Sequence, residues 1–273
     1  MYALLAVGLI AIYSVRHIVN LAQGEFASLA GLGAVWLISV GLPLVVAVVI
    51  AVVSVTATAV LIDRLIIARV RQMTTLTSII LTLGVATLLQ ALMLLAWGPT
   101  ARGLPPFPGA NVLVGGVSIR SQEFWMLGTL VVVGVGIVLF SERTRLGKAM
   151  RAVAEQPIAA RIVGISPVLA SVVAFGIAGF TGALAGVMSS PLSLSVWSAG
   201  LLLALKGFVA AVLGGLVSYR AAMAGGLLLG ALESYVAGYL DSGYRDAVAF
   251  LILIVILIVR PAGLARRVSG VRV

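Results

Sequence analysis

The chain has no cysteine and a single histidine in 273 residues, and it is poor in charge. Without cysteine there can be no disulfide framework, thiolate nucleophile or cysteine-ligated zinc. With His17 alone, a histidine-rich metal site is excluded as well. Charged residues make up 10% of the sequence, whereas a soluble domain carries about 25%. One large soluble core is therefore a poor account of it. Catalytic signatures are missing too: there is no Gly-x-Ser-x-Gly, no His-Glu-x-x-His and no paired catalytic acids. The Gly147-Lys148 pair is not a phosphate-binding loop, because Glu142 stands where that loop needs glycine and Ala149 where it needs Ser or Thr. Nothing here hydrolyses ATP.

What the chain has instead is apolar length. Hydrophobic residues make up 62% and mean hydropathy is +1.23. Runs of roughly 20 apolar residues, enough for a spanning helix, recur along it. Predicted spans are 2–15, 26–41, 43–62, 76–97, 123–140, 167–189, 200–217, 221–239 and 246–260. The expected fold is an all-α, polytopic transmembrane helical bundle of 8–9 spans, a single transmembrane domain over residues 1–273. Eight full crossings plus a re-entrant piece fit nearly as well, since the run at 26–41 is short and polar at its start. The net charge of +10 reports orientation and not nucleic-acid binding. Arg16, Arg64, Arg69, Arg71, the cluster from Arg143 to Arg161, Arg220 and the tail Arg260 to Arg272 all fall on one side of alternating spans. Arg102, Arg120 and Arg245 fall on the other. The positive-inside rule puts the richer side, and the C-terminus, in the cytoplasm. No basic n-region precedes the first apolar run, so no cleavable signal peptide is evident. That run is short at its Met1 end, and the start reads as a few residues late.

Two connections are long. Residues 97–122 are dense in Pro and Gly, which excludes a regular helix, and form an external loop. Residues 141–166 form the cytoplasmic one. There Leu146, Met150, Val153, Pro157 and Ala160 recur at helical offsets, and Arg151 and Glu155 are spaced as an i,i+4 pair. Pro157 should divide this segment into two short helices, and Ser166-Pro167 reads as an N-cap and first-turn proline. It is either an interfacial helix lying on anionic lipid or a docking element for a soluble partner. The absence of Trp and Phe and the many small alanines favour docking.

Residues 15–26, VRHIVNLAQGEF, place Arg16, His17, Asn20, Gln23 and Glu25 between two apolar runs. Such groups are costly in hydrocarbon unless paired or facing water. On a continuous helix His17, Asn20 and Gly24 share a side, and Gly24 invites a break. The segment is either a broken or re-entrant helix beside a translocation path or a turn between spans. Proton relay between His17 and Glu25 is the weaker use of the histidine. Lys206 and Glu233 lie inside apolar runs, either as an intramembrane pair or each reaching an interface alone. Ala178, Gly182 and Gly186, and Gly226 and Gly230, repeat at the four-residue spacing of close membrane-helix packing.

NLAQGEF (20–26) after GLIAIYSVRHIV resembles the Asn-Phe-Ala-His-Gly-Glu signature of branched-chain amino acid permeases of ABC importers. TRLGKAMRAVAEQPIAARIVGI (144–165), AAVLGGLVSYRAAMAGGLLLGALES (210–234) and SGYRDAVAFLILIVILIVRPAGL (242–264) are similar to the same family, in its order. The match is closest to the first of its two homologous permease subunits, and related urea and amide importers share the pattern. The resemblance implies half of a heterodimeric pore in the cell membrane. It also implies a second permease, two ATP-binding subunits and an extracytoplasmic solute-binding protein as partners, with no cofactor. Asn20, Gln23, Gly24 and Glu25 would form the helix break beside the path. Arg145, Gly147, Met150, Arg151, Ala159, Ala160 and Gly164 would couple to an ATPase subunit. Ile158 stands where an acidic residue often precedes the alanines. Gln23 stands where the signature has His, so protonation there is no part of the expected mechanism. A stand-alone secondary transporter would need ionisable groups deep in the spans, and only Lys206 and Glu233 qualify. A membrane enzyme would need a nucleophile or metal set that the chain lacks.

Overall fold

The computed structural model describes residues 1–70, 74–114, 117–216, 218–239 and 242–259. Arg71 and the basic tail from Arg260 onward lie outside the described residues. The elements are α1 (Tyr2–Arg16), α2 (Gln23–Ser39), α3 (Leu44–Leu65), α4 (Thr75–Trp97), β1 (Val112–Val114), β2 (Val117–Ile119), α5 (Ser121–Arg143), α6 (Arg145–Glu155), α7 (Pro157–Ile162), α8 (Pro167–Ser189), α9 (Gly200–Leu213), α10 (Tyr219–Tyr239) and α11 (Arg245–Val259). Five of these helices, α3, α4, α5, α8 and α10, are long and apolar enough to cross a bilayer. The protein is a multi-pass, predominantly helical membrane protein. Its small antiparallel hairpin, with Val112 opposite Ile119, lies in the expected external loop. Sequence patterning gave no sign of it.

Local chemistry sets the helix ends. Ser166 Oγ accepts from the Leu169 N–H and Pro167 takes the first helical position of α8, as the sequence suggests. Thr144 Oγ1 accepts from the Gly147 N–H to open α6, and Pro157 opens α7 after a one-residue interruption. Thr74 caps α4 through the Thr77 N–H.

Helix α8 is the axis of the packing, lying against α1, α2 and α3. Its contact faces are lined by small residues: Ala170, Ala174, Ala178, Gly179, Gly182, Ala183 and Gly186 are all buried. In lipid, where burying apolar surface gives little drive, such residues let backbones approach and gain dispersion contacts. Relative directions follow from these contacts. Arg16, at the end of α1, meets Ser171 near the start of α8, while Gly8 lies against Thr181. Helix α1 is thus antiparallel to α8. Helix α2 runs parallel to it, with Gln23 at Ala178 and Ala27 at Gly186.

A Cβ on Gly186 would fall on the Ala27 backbone, which cannot yield as a flexible side chain can, whereas one on Gly176 would meet Val60 Cγ2 at 3.7 Å, an ordinary contact. Gly186→Ala should therefore destabilise the protein by about 1–3 kcal/mol or more, and Gly176→Ala should be tolerated. Thermal denaturation of the two detergent-solubilised variants checks this, and equal melting behaviour would remove α8 as the packing axis.

Candidate functional site

The segment between α1 and α2 is interrupted well inside the bundle. Helix α1 ends at Arg16, and His17 adopts a left-handed conformation at φ 55°. The chain then runs without helix until Gln23. From Ser171 to Ala178 along α8, this segment covers roughly 10 Å of depth. Free backbone groups at such depth need internal partners. The Asn20 side-chain oxygen accepts from the Ala22 N–H at 3.1 Å, and the Val19 carbonyl accepts from Thr82 Oγ1 at 3.4 Å. The break thus falls at 17–22 and not at Gly24. Gly24 lies in the first turn of α2, where a Cβ would fall on the Gly200 carbonyl. His17 is exposed while Glu25 is fully buried beyond the break, so the structure does not bring the two together.

Gly200 is the first residue of α9, so a second helix also begins inside the bundle. The preceding segment enters beside α2: Ser195 lies against Gly31 and pairs by backbone with Arg102 at 3.1 and 2.7 Å. Ser190 Oγ accepts from the Leu104 N–H and from Ser195 Oγ. The sequence placed a span at 200–217. The helix ends instead at Leu213, and its recessed start gave no recognised signal.

Asn20, Gln23 and Glu25 are all buried. Gln23 faces α8 and donates Nε2 to the Ala178 carbonyl at 2.9 Å. Glu25 faces the other way, toward α4 and α9. Its Oε1 accepts from Gln90 Nε2 at 2.7 Å, its carboxylate lies against Gly200, and Oε2 has no hydrogen-bond partner among the described residues.

Lys206 and Glu233 meet. Lys206 Nζ is 2.9 Å from Glu233 Oε1 and 2.6 Å from Asp246 Oδ1. Tyr2 donates its hydroxyl to Glu233 at 2.6 Å. A second ionic set, which sequence reasoning missed, joins three helices at the basic end. Asp63 is fully buried. Ser171 donates to its Oδ1 at 2.6 Å, Arg16 Nε donates to Ser171 at 2.7 Å, and an Arg16 terminal nitrogen lies 3.4 Å from Asp63 Oδ1. Asp63-Arg64 at the end of an apolar run was the available signal, but it reads equally well as an interface pair.

In the α6–α7 loop, Gly147, Met150 and Ala160 lie beneath the helices. Met150, Val153 and Ala160 pack on Val15, Ala170 and Ala174, and a Cβ on Gly147 would meet the Phe140 carbonyl. These anchor the loop. Arg145, Arg151, Ala159 and Gly164 face outward. Leu146 does not join the buried stripe but is 43% exposed. Arg151 donates to the Glu142 carbonyl at 3.3 Å, and no ion pair joins it to Glu155 among the described residues. Three large apolar residues, Ile158, Ile162 and Val163, stand exposed on α7 and its end.

A family model described as branched-chain amino acid transport system / permease component matches residues 1–257. The chain belongs to that permease family. It is 30% identical to the high-affinity branched-chain amino acid transport system permease protein BraD of Pseudomonas aeruginosa, over 97% of this chain and 92% of that protein. Identity to the corresponding LivH protein of Escherichia coli K12 is 31%, over 97% and 91%. A probable LivH from Methanocaldococcus jannaschii is 25% identical over 96% and 87%. No solved structure matches the permease.

Removing one partner of a buried ion pair leaves a charge stranded. Lys206→Met should therefore cost this permease on the order of 3 kcal/mol, and adding Glu233→Leu should recover part of the loss. Strictly additive losses in thermal denaturation would mean that the two groups do not act as a pair.

Proposed function

We propose that the chain is one transmembrane half of an ATP-driven importer for branched-chain amino acids, corresponding to the first of two homologous permease subunits. The match to the family over residues 1–257 of the 273 carries this reading. The five long helices, together with α1, α2, α9 and α11, make up nine crossings, with α2 and α9 starting inside the bundle. The basic end, with α6, α7 and the C-terminus, faces the cytoplasm. The chain has no phosphate-binding loop, so energy comes from two ATP-binding subunits. A second permease completes the pore, and an extracytoplasmic binding protein delivers the solute.

The α6–α7 loop is the contact with the ATPase. Its underside is fixed to the bundle, while Ile158, Ile162 and Val163, next to Arg161 in sequence, form an exposed apolar tip, and Arg145 and Arg151 are exposed on α6. Pressure on that tip enters α8 directly through Ser166-Pro167. Near its start, α8 carries Ser171, which is bonded to Arg16 and Asp63, and the chain breaks just past Arg16. Alternating access follows if this end of the bundle moves as a unit about the break. The binding protein supplies affinity, so the path needs few charges.

Ile158→Asp with Ile162→Asp should lower ATP-dependent leucine uptake about tenfold or more in proteoliposomes holding the full assembly, with the permease still folded and inserted. Unchanged uptake would move the docking surface off α7.

A further inference from the structure

Two features meet where α2, α4 and α9 converge. One is the N-terminus of α9, a 14-residue helix whose first residue is Gly200; its N-cap is Ala199, and no side chain among the described residues caps it. The first N–H groups of a helix have no partner within it and concentrate partial positive charge. Half-helices that start inside a membrane bundle use such ends to hold anionic groups. The other is Glu25, fully buried, with Oε1 held by Gln90 and Oε2 without a partner among the described residues and directed at Gly200. Gln90 is itself only half-buried, on a helix α4 whose other polar residues are the hydroxyls of Thr75, Thr77, Ser78, Thr82 and Thr87, so the pair stands near a route out of the bundle.

We propose that Glu25 and the uncapped N-terminus of α9 form the permease's binding site for a zwitterion. The α-ammonium group of an amino acid goes to Glu25 Oε2, and the α-carboxylate goes to the first backbone amides of α9, from Gly200 on. In the closed arrangement the two protein groups compensate each other across the Gly24–Gly200 contact. A zwitterion entering between them replaces each protein charge with its own opposite end, so the site opens without stranding a charge. A solute with only one of the two charged ends leaves one protein group bare, at the cost of an unsatisfied buried charge. This selects zwitterions before any side chain is read. It rests on the transport reading above and assigns the residues that recognise the shared backbone of the substrates.

The test is ligand-detected NMR on the permease–ATPase assembly in nanodiscs, without binding protein, using leucine, 4-methylpentanoate (no ammonium) and leucinol (no carboxylate). Leucine should bind the wild type about tenfold or more tightly than either analogue. Glu25→Gln should bring leucine down to the level of 4-methylpentanoate, and Glu25→Asp should restore part of the preference. A purely structural role for Glu25 would not change the ranking of the ligands. Equal binding of all three by the wild type, no leucine signal, or an unchanged preference in folded Glu25→Gln overturns the assignment. Should Glu25→Gln fail to fold, Gln90→Leu, which frees Oε1, must alter the preference, and an unaltered one overturns the proposal equally. Leucine uptake by the complete wild-type assembly tests the transport reading separately.

Discussion

Inside a bilayer, every backbone donor and acceptor must find a partner within the protein, and among the described residues this fold departs from continuous helix at two places under that constraint. Residues 17–22 and the approach to Gly200 both run without helix within the bundle. Each is held by short-range polar contacts: Asn20 to the Ala22 amide and Thr82 to the Val19 carbonyl in the first, Ser190, Ser195, Leu104 and Arg102 in the second. Neither segment would persist without helices packed closely around it. That closeness comes from the small residues of α8, and from Gly24 and Gly200, where α2 and α9 touch backbone to backbone.

Charge follows the same economy. At the basic end, Asp63 is compensated by Arg16 and Ser171, and at the other end Glu233 by Lys206 and Tyr2. Each set joins helices distant in sequence, and each loses its logic if one member is removed. Glu25 is different. Among the described residues it has a neutral amide for one oxygen and only the partial charge of a helix end for the other. An incompletely compensated carboxylate in a well-packed bundle is an expensive feature unless something is gained from it.

Much of this was legible from residues alone. The bounds of α8 follow from Ser166-Pro167 and an uninterrupted apolar run, and the division of α6 from α7 follows from Pro157. These are local effects of capping and proline geometry, fixed by neighbours in sequence. The position of the break was not legible, because Gly24 is as plausible a hinge by composition as His17. What decides between them is tertiary: α9 needs Gly24 for its approach, so α2 must already be helical there. The recessed start of α9 is hidden for the same reason, since residues 190–199 look like any connecting loop until Gly31 and Arg102 are seen beside Ser195. Gly147, Met150 and Ala160 are recognisable as special, but whether a residue in such a loop faces bundle or partner depends on which side α1 and α8 occupy.

The anchoring of that loop bears on how far a push can travel. Met150, Val153 and Ala160 share one apolar cluster with Val15 of α1 and with Ala170 and Ala174 of α8. Close-packed clusters of this kind transmit displacement instead of absorbing it. The polar link from Ser171 to Arg16 and Asp63 adds α3 to the same block. The next segment along the chain from Arg16 is the non-helical 17–22, which lacks a continuous hydrogen-bond ladder and can change its dihedral angles at lower cost than a helix. On the transport reading proposed above, motion entering at α7 would have a rigid course up to Arg16 and a compliant joint immediately after it. The element beyond that joint is the first turn of α2, with Gln23, Gly24 and Glu25. The distance between the exposed tip and the buried carboxylate is thus bridged by one packed block and one hinge, and no longer chain of contacts is needed.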